Sequence, residues 1–455
     1  MMNIQQLYIV TCLFGVLLCG FYIFRNAKVG PSAEELLIRD FGPLNEEVAR
    51  LERLLTYERE KLRRVQSQVD QYIKANRIQH EKIQIIKGSV GGWPEAIGVL
   101  VFVCNRAEAI KYHIQKLLNF RKSADLFPII VSQDCDNEEV AQVVKSFGSQ
   151  VHYIKHLSGE KANIDIPPQH RQYIPYYRIS RHYKLGLEHV FNDLKLGSVI
   201  ITEDDLDIAP DFFDYFSGTR WLLESDKSLF CVSAWNDNGK SDAIDESAKD
   251  LLYRSDFFPG LGWMMTKELW EELGPIWPAG FWDDWIRDPA RRKNRSCIRP
   301  EISRTAMTNY GKKGASKGLF FDHYLKQIIL NEFPTNFSQI SLNYLLKQNY
   351  DEPFVNRIYG LPKMSVEEVA AKVIHPEGPG LIIRIEYSSM SEYTEIAKKL
   401  HIMIDTKAGV PRTAYRGIVT CFINGVRIYI APANRENWPG YDPKWEPPSD
   451  AENAN

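Results

Sequence analysis

Three consecutive carboxylates, Glu203, Asp204 and Asp205, follow the apolar run Val199-Ile200-Ile201-Thr202. Like charges side by side at the end of a buried strand are costly unless a cation neutralises them. Carboxylate oxygens suit Mg2+ or Mn2+, ions that often bridge a protein carboxylate to a substrate diphosphate. Successive strand side chains point to opposite faces, so one acid ligates and the others are free for sugar hydroxyls. A second acidic pair, Asp283-Asp284, lies between Trp282 and Trp285. A carboxylate among indoles is expected to be poorly solvated, and desolvation raises its pKa toward that of a general base. The competing reading makes one Asp a helix cap and the tryptophans core.

Positioning such groups takes a scaffold. Five apolar runs read as strands: Ile97 to Cys104, Phe127 to Ser132, Val151 to Ile154, Ser198 to Thr202 and Leu229 to Ala234. Helical patterns separate them at Ala107 to Phe120, Glu138 to Phe147, Ile179 to Phe191 and Asp211 to Glu224. This alternation implies an α/β fold with a mostly parallel sheet covered on both faces. Ligands of such sheets bind past the carboxyl ends of the strands. Cys104-Asn105-Arg106, Gln133-Asp134-Cys135 and Glu203-Asp204-Asp205 therefore aim one cation and four carboxylates at one crevice. No Gly-x-Gly-x-x-Gly follows the first strand and no Gly-Lys-Ser/Thr phosphate loop occurs, so a nicotinamide dinucleotide fold is unsupported. The basic stretch Arg291-Arg292-Lys293 reads as an exposed loop. Lys312-Lys313 among Gly311, Gly314 and Gly318 reads as a lid or as a plain solvated loop. From Glu352 a smaller α+β unit follows, with strands near 380–387, 417–422 and 427–430 and a helix at 392–400. Asn424-Gly425 marks a hairpin.

The chain has 455 residues, which at roughly 150 per domain suggests about three units. Hydrophobic residues make up 44% and charged ones 25%, excluding a wholly disordered, collagenous or polytopic chain. With 56 basic against 58 acidic residues, no nucleic-acid partner is expected. Leu7 to Phe24 carries no charge and is bounded by Arg25 and Lys28, as a single membrane anchor would be; it lacks the cationic start and cleavage site of a signal peptide. Val48, Leu51, Leu55, Leu62, Val65, Val69 and Tyr72 fall on a heptad frame that Glu58 interrupts at one d position, either a dimerising coiled-coil stem or a solitary helix. The expected plan is a cytosolic tail 1–6, anchor 7–24, stem 25–94, catalytic domain 95–350, C-terminal domain 351–447 and tail 448–455. Arg25 and Lys28 would favour a cytosolic bulk. Against them, Cys104 and Cys135 end strands expected to be neighbours, Cys231 and Cys297 offer a second pair, and Asn294 and Asn336 head glycosylation sequons. Together these favour an oxidising lumen.

Longer motifs add a resemblance. Val-Ser-Gln-Asp-Cys at 131–135, Glu-Asp-Asp-Leu at 203–206, Val-Ser-Ala-Trp-Asn-Asp-Asn-Gly at 232–239 and Phe-Phe-Pro-Gly-Leu-Gly-Trp at 257–263 resemble the N-acetylglucosaminyltransferase I family. So do Phe-Trp-Asp-Asp-Trp at 281–285, Arg-Pro-Glu-Ile-Ser-Arg at 299–304 and Gly-Tyr-Asp-Pro-Lys-Trp at 440–445. The resemblance implies a GT-A-type nucleotide-sugar fold using UDP-GlcNAc and Mn2+, on a type II Golgi membrane protein, with high-mannose N-glycans as acceptors. By it, Asp205 ligates the metal, Asp204 meets the ribose, Glu203 meets the GlcNAc, and Arg106, Asp134 and His182 meet the nucleotide. Leu261 and Trp282 join the substrate set, Ser316 lies on a loop that orders with donor, and Asp283 is the general base. Both cysteine pairs match the family's disulfides. O-linked mannose as acceptor, and a lumenal sugar-binding protein without turnover, are the alternatives the resemblance leaves.

Overall fold

A computed structural model describes residues 96–434 apart from 159–161, 163, 315–317 and 375–380, together with positions 48, 51 and 59. Its contacts separate Met1–Gly88 from Ser89–Asn455, and the strands and both acidic clusters belong to the second unit. The anchor 7–24, nearly all of the stem and the 440–445 motif lie outside the described residues. Among the described residues no helix is long and apolar enough to cross a membrane.

The chain runs through β1 (Gly98–Val103), α1 (Ala107–Phe120), β2 (Ile129–Gln133), α2 (Glu138–Ser146), β3 (His152–Lys155), α3 (Ile174–Glu188), β4 (Ser198–Glu203) and β5 (Leu206–Ile208). Next come α4 (Phe212–Ser225), β6 (Leu229–Ser233), β7 (Leu252–Ser255), β8 (Trp263–Thr266), α5 (Lys267–Leu273), α6 (Trp282–Arg287), β9 (Ser296–Pro300) and β10 (Thr305–Met307). Every residue of β1 and β2 is buried, as strands covered on both faces must be. On α1, Ile110, Ile114 and Leu117 form the inward stripe that a helical period of 3.6 places on one side. Asn137 caps α2, its side chain accepting from the Val140 amide. Helix α3 starts five residues ahead of the expected Ile179, because Pro175 falls in its first turn, where a missing N–H costs nothing.

The main sheet has eight strands in the order β3-β2-β1-β4-β8-β6-β9-β7. β3, β2, β1 and β4 are parallel, β6 and β9 pair in parallel, and β8 and β7 run against their neighbours. The order places β1 beside β4, so residues just past both strands meet at one edge. Cys104 and Cys135 are bridged there at a Cα separation of 4.8 Å. Cys231 and Cys297 stand opposite one another in the β6–β9 register and form the second bridge, leaving Cys421 free and buried.

A second sheet is built from β11 (Ile382–Tyr387), β14 (Val419–Ile423) and β15 (Val426–Pro432), beside a short ribbon of β12 (Thr406–Lys407) and β13 (Val410–Pro411). Asn424 and Gly425 both take positive φ, 47° and 82°, closing the β14–β15 hairpin as a two-residue turn. Helix α7 (Lys347–Tyr359) runs across position 350, and Met390–Lys399 (α8) packs against β11. Buried ion pairs join this part to the main sheet: Arg427 to Glu301 at 2.8 Å and Arg412 to Asp237 at 2.7 Å.

Candidate active site

The β1–β4 register sets Phe102 opposite Glu203. Arg106, just beyond β1, consequently faces the acidic turn. Its guanidinium donates to Asp204 Oδ2 at 3.1 Å, to Asp205 Oδ2 at 2.8 Å and to the Tyr310 carbonyl at 3.1 Å, and it also pairs with Asp204 Oδ1. Burial alone would lower the pKa of Arg106, but Asp205 and Asp204 outweigh it and raise it. The acids respond in kind. Burial pushes Glu203 and Asp204 up, with Asp205 adding repulsion to both and Arg106 opposing it. The turn is held at each end by His113 of α1, whose ring contacts the Thr202 hydroxyl on one side and the Leu206 carbonyl on the other. Thr308 donates to the Asp205 carbonyl through both amide and hydroxyl at 2.8 Å.

Asp205 Oδ1 is buried without a hydrogen-bond partner. An ionised oxygen in that state is costly, and a hard cation satisfies it. No cluster of three or more metal-ligating side chains occurs among the described residues. A one-carboxylate site suits a cation that takes its other ligands from water and substrate phosphates. Gly311 packs closely beside the turn: a Cβ there would meet Met307 Sδ at 2.5 Å, and Asp205 Oδ2 lies 3.5 Å from the same point.

Glu203 has a different partner. Its Oε1 accepts from the Tyr183 hydroxyl at 2.7 Å. The Tyr183 ring lies between Phe102, 4.1 Å away, and Trp282, 4.2 Å away. One residue after Trp282 stands Asp283, so a continuous stack joins the acidic turn to the second acidic pair. The expected desolvation of Asp283 is not what the fold provides. Trp282 turns inward onto Tyr183 and Trp285 packs by Trp277, while the Asp283 side chain keeps 42% exposure and accepts from Arg287 at 3.0 Å. Neighbouring indoles shield a carboxylate only from the same helix face, and here they occupy the opposite one. Asp284 shares Arg287 and also faces Lys407 of β12 at 3.6 Å. The C-terminal part thus reaches this helix.

Asp134 is paired with Arg181 at 2.8 Å; burial pushes its carboxyl up to about 6 despite that cation. His182 is buried, bonded to the Ser132 hydroxyl at 2.9 Å, and its pKa is lowered chiefly by burial. The same hydroxyl meets His156 at 2.9 Å, a histidine that sequence reasoning passed over. Leu261 has φ of 52° between Gly260 and Gly262, both also positive. Such backbone is unfavourable for a branched residue and clusters at binding sites. The β4–β8 pairing, Ile201 opposite Trp263, brings this loop beside the end of β4. Ser316 lies outside the described residues. The stretch 291–293 is no free basic loop: Pro289–Arg292 is helical, Arg292 is buried near Asp256 at 3.5 Å, and Lys293 pairs with Glu272 at 3.1 Å.

The GNT-I family profile matches residues 9–445. The chain belongs to the GNT-I family. An alpha-1,3-mannosyl-glycoprotein 2-beta-N-acetylglucosaminyltransferase of Arabidopsis thaliana is 37% identical over 348 residues, which cover 76% of each protein. Among solved structures, glucosyl-3-phosphoglycerate synthase of Mycobacterium tuberculosis with Mn2+ and UDP-glucose matches 47% of this chain and 72% of its own at 14% identity and a TM-score of 0.30. A Pyrobaculum calidifontis mannosyltransferase with GDP-mannose and Mn2+ matches 40% of this chain and 49% of its own, at 15% identity and a TM-score of 0.26. Structural likeness at that level decides nothing. Within this GNT-I member, Tyr183 and His113 are the partners of the acidic turn that the sequence did not announce. Each acts through partners roughly 20 and 90 residues distant, and only the sheet order brings them together.

Proposed function

We propose that this GNT-I member moves GlcNAc from UDP-GlcNAc to the 2-hydroxyl of an alpha-1,3-linked mannose of Man5GlcNAc2 on glycoproteins, with inversion, on a GT-A-type scaffold. The observation that carries the reading is the stack from Glu203 through Tyr183 to Trp282, which sets a buried acidic turn and a half-exposed carboxylate in one neighbourhood. Asp283 removes the hydroxyl proton while the mannose oxygen bonds to the anomeric carbon and the bond to UDP breaks. A single displacement turns the alpha donor into a beta product. Arg287 holds the base in place. Glu203 and Asp204 take donor hydroxyls, and Asp134 and His182 face the nucleotide. Asp205 is the residue that would hold a divalent cation, Mn2+ in this reading, which supplies positive charge at the diphosphate when bound.

The same reading carries the membrane arrangement: tail 1–6 in the cytosol, anchor 7–24, and the catalytic part in the Golgi lumen, with the heptad stem able to pair two copies. Two disulfides support an oxidising compartment. The test is direct. Purified protein is incubated with UDP-GlcNAc, Mn2+ and Man5GlcNAc2, and the glycan is weighed. A gain of one GlcNAc, absent with Asp283→Asn, is the expected result. An unchanged glycan, with UDP-GlcNAc still bound, refutes the acceptor.

A further inference from the structure

Beside Asp283 lies a group of aromatic rings that the mechanism leaves unused. Phe281, the cap residue just before α6, has φ of 53°, a conformation that is a genuine outlier for a bulky side chain. Its ring stacks on Tyr176 at 5.2 Å and 17°, and meets Tyr173 edge-on at 5.7 Å. Behind them Tyr177 is buried and bonded through its hydroxyl to His170 at 2.6 Å. The Tyr177 ring packs close to Gly280, where a Cβ would approach it to 3.0 Å, tighter than an ordinary contact. The rings are thus fixed from behind. Tyr173 is 37% exposed, and Tyr176 and Phe281 are partly so. Tyr176 also lies within the field of Asp283 and Asp284.

Exposed rings held rigidly, at the cost of a strained backbone, are unneeded for the core, which lies on the inner side of Trp282. Pyranose rings offer an apolar C–H face bordered by hydroxyls. Flat aromatic faces with a negative quadrupole match the first, while the tyrosine hydroxyls and the Asp283–Asp284 carboxylates match the second. We propose that Tyr173, Tyr176 and Phe281 form the surface on which a mannose ring of the acceptor glycan stacks, orienting its hydroxyl toward Asp283. This rests on the reading of Asp283 as the acceptor base.

The test uses full-length protein and free Man5GlcNAc2, varying acceptor and UDP-GlcNAc separately. Tyr173→Ala and Tyr176→Ala should each raise acceptor KM by about tenfold, the worth of one aromatic contact, and leave the KM for UDP-GlcNAc within about twofold. Tyr176→Phe keeps the ring and should restore most of the lost affinity. An unchanged acceptor KM in the Tyr173→Ala/Tyr176→Ala variant overturns the proposal. So does an equal rise in both KM values, which would make the rings a support of the whole fold. The two readings separate cleanly: an Asp283→Asn enzyme with full kcat sinks the base assignment, whereas the acceptor KM of the tyrosine variants judges the stacking surface alone.

Discussion

The acidic turn at 203–205 and the acidic pair at 283–284 are built in opposite ways. Asp204 and Asp205 are buried, locked through their side chains by Arg106 and, at the Asp205 carbonyl, by Thr308. Asp283 sits on a six-residue helix with 42% exposure, paired with Arg287. A buried, preorganised site suits a small charged ligand that must be held in one pose. An open carboxylate suits a large branched acceptor that has to arrive, react and leave. The contrast predicts that injury to the first region is felt in folding and donor binding, and injury to the second only in turnover.

The largest expected effect is on rate. Asp283→Asn should lower kcat by about 10²- to 10⁴-fold with no change in thermal midpoint or in UDP-GlcNAc affinity; a lowered midpoint would break the contrast. Arg106→Ala removes the partner of buried carboxylates, and should cost roughly 3–5 kcal/mol of stability in denaturant titration. A variant as stable as the parent would show that the turn does not depend on that pair. Acid should act on the donor side too. His113 is fully buried with its pKa lowered to about 4, chiefly by burial, against 6.5 when unfolded. Between those values the unfolded chain holds a proton the folded chain refuses, so stability is whole above about pH 6.5 and is lost as pH falls. His156 and His182 shift the same way, while burial raises the carboxyls of Asp134, Glu203 and Asp204, and these oppose them. Denaturant midpoints should show a cost of about 2 kcal/mol from His113 at pH 5, reduced in His113→Gln. The smallest effect belongs to the link between regions. Tyr183→Phe keeps both ring stacks and deletes the bond to Glu203, and should weaken donor binding about tenfold; no change would mean the stack alone does the positioning.

Much of the scaffold around the acidic turn was legible because long apolar runs announce strands, and the β1–β4 register sets Arg106 against the acids at the end of β4. α1 spans Ala107–Phe120, as its periodicity indicates. β7 and β8 were hidden for identifiable reasons. β7 contains Arg254, buried and paired with Asp226 at 2.9 Å, which breaks an apolar pattern. β8 is four residues, Trp-Met-Met-Thr, too few to show a period of two. The acids of the second region were legible by type, but their solvation was not. That depends on which way Trp282 and Trp285 turn, and the direction is set by Tyr183 and Trp277 across the fold. Tyr183 carries no mark in the sequence that sets it apart from the other aromatics of its helix.

The two disulfides have a consequence for what the chain retains once its weak forces are gone. Each joins parallel neighbours in the sheet, β1 to β2 past their ends and β6 to β9 within the register. They span 31 and 66 residues of sequence, loops whose closure is worth roughly 4 kcal/mol each in the chain-entropy picture. Chain unfolded by denaturant with its bridges intact still carries a covalent record of which strands stand side by side, on both flanks of the acidic turn. A non-reducing peptide map would read that record directly, finding Cys104 with Cys135 and Cys231 with Cys297, and so recover part of the strand order from a molecule that has no structure left.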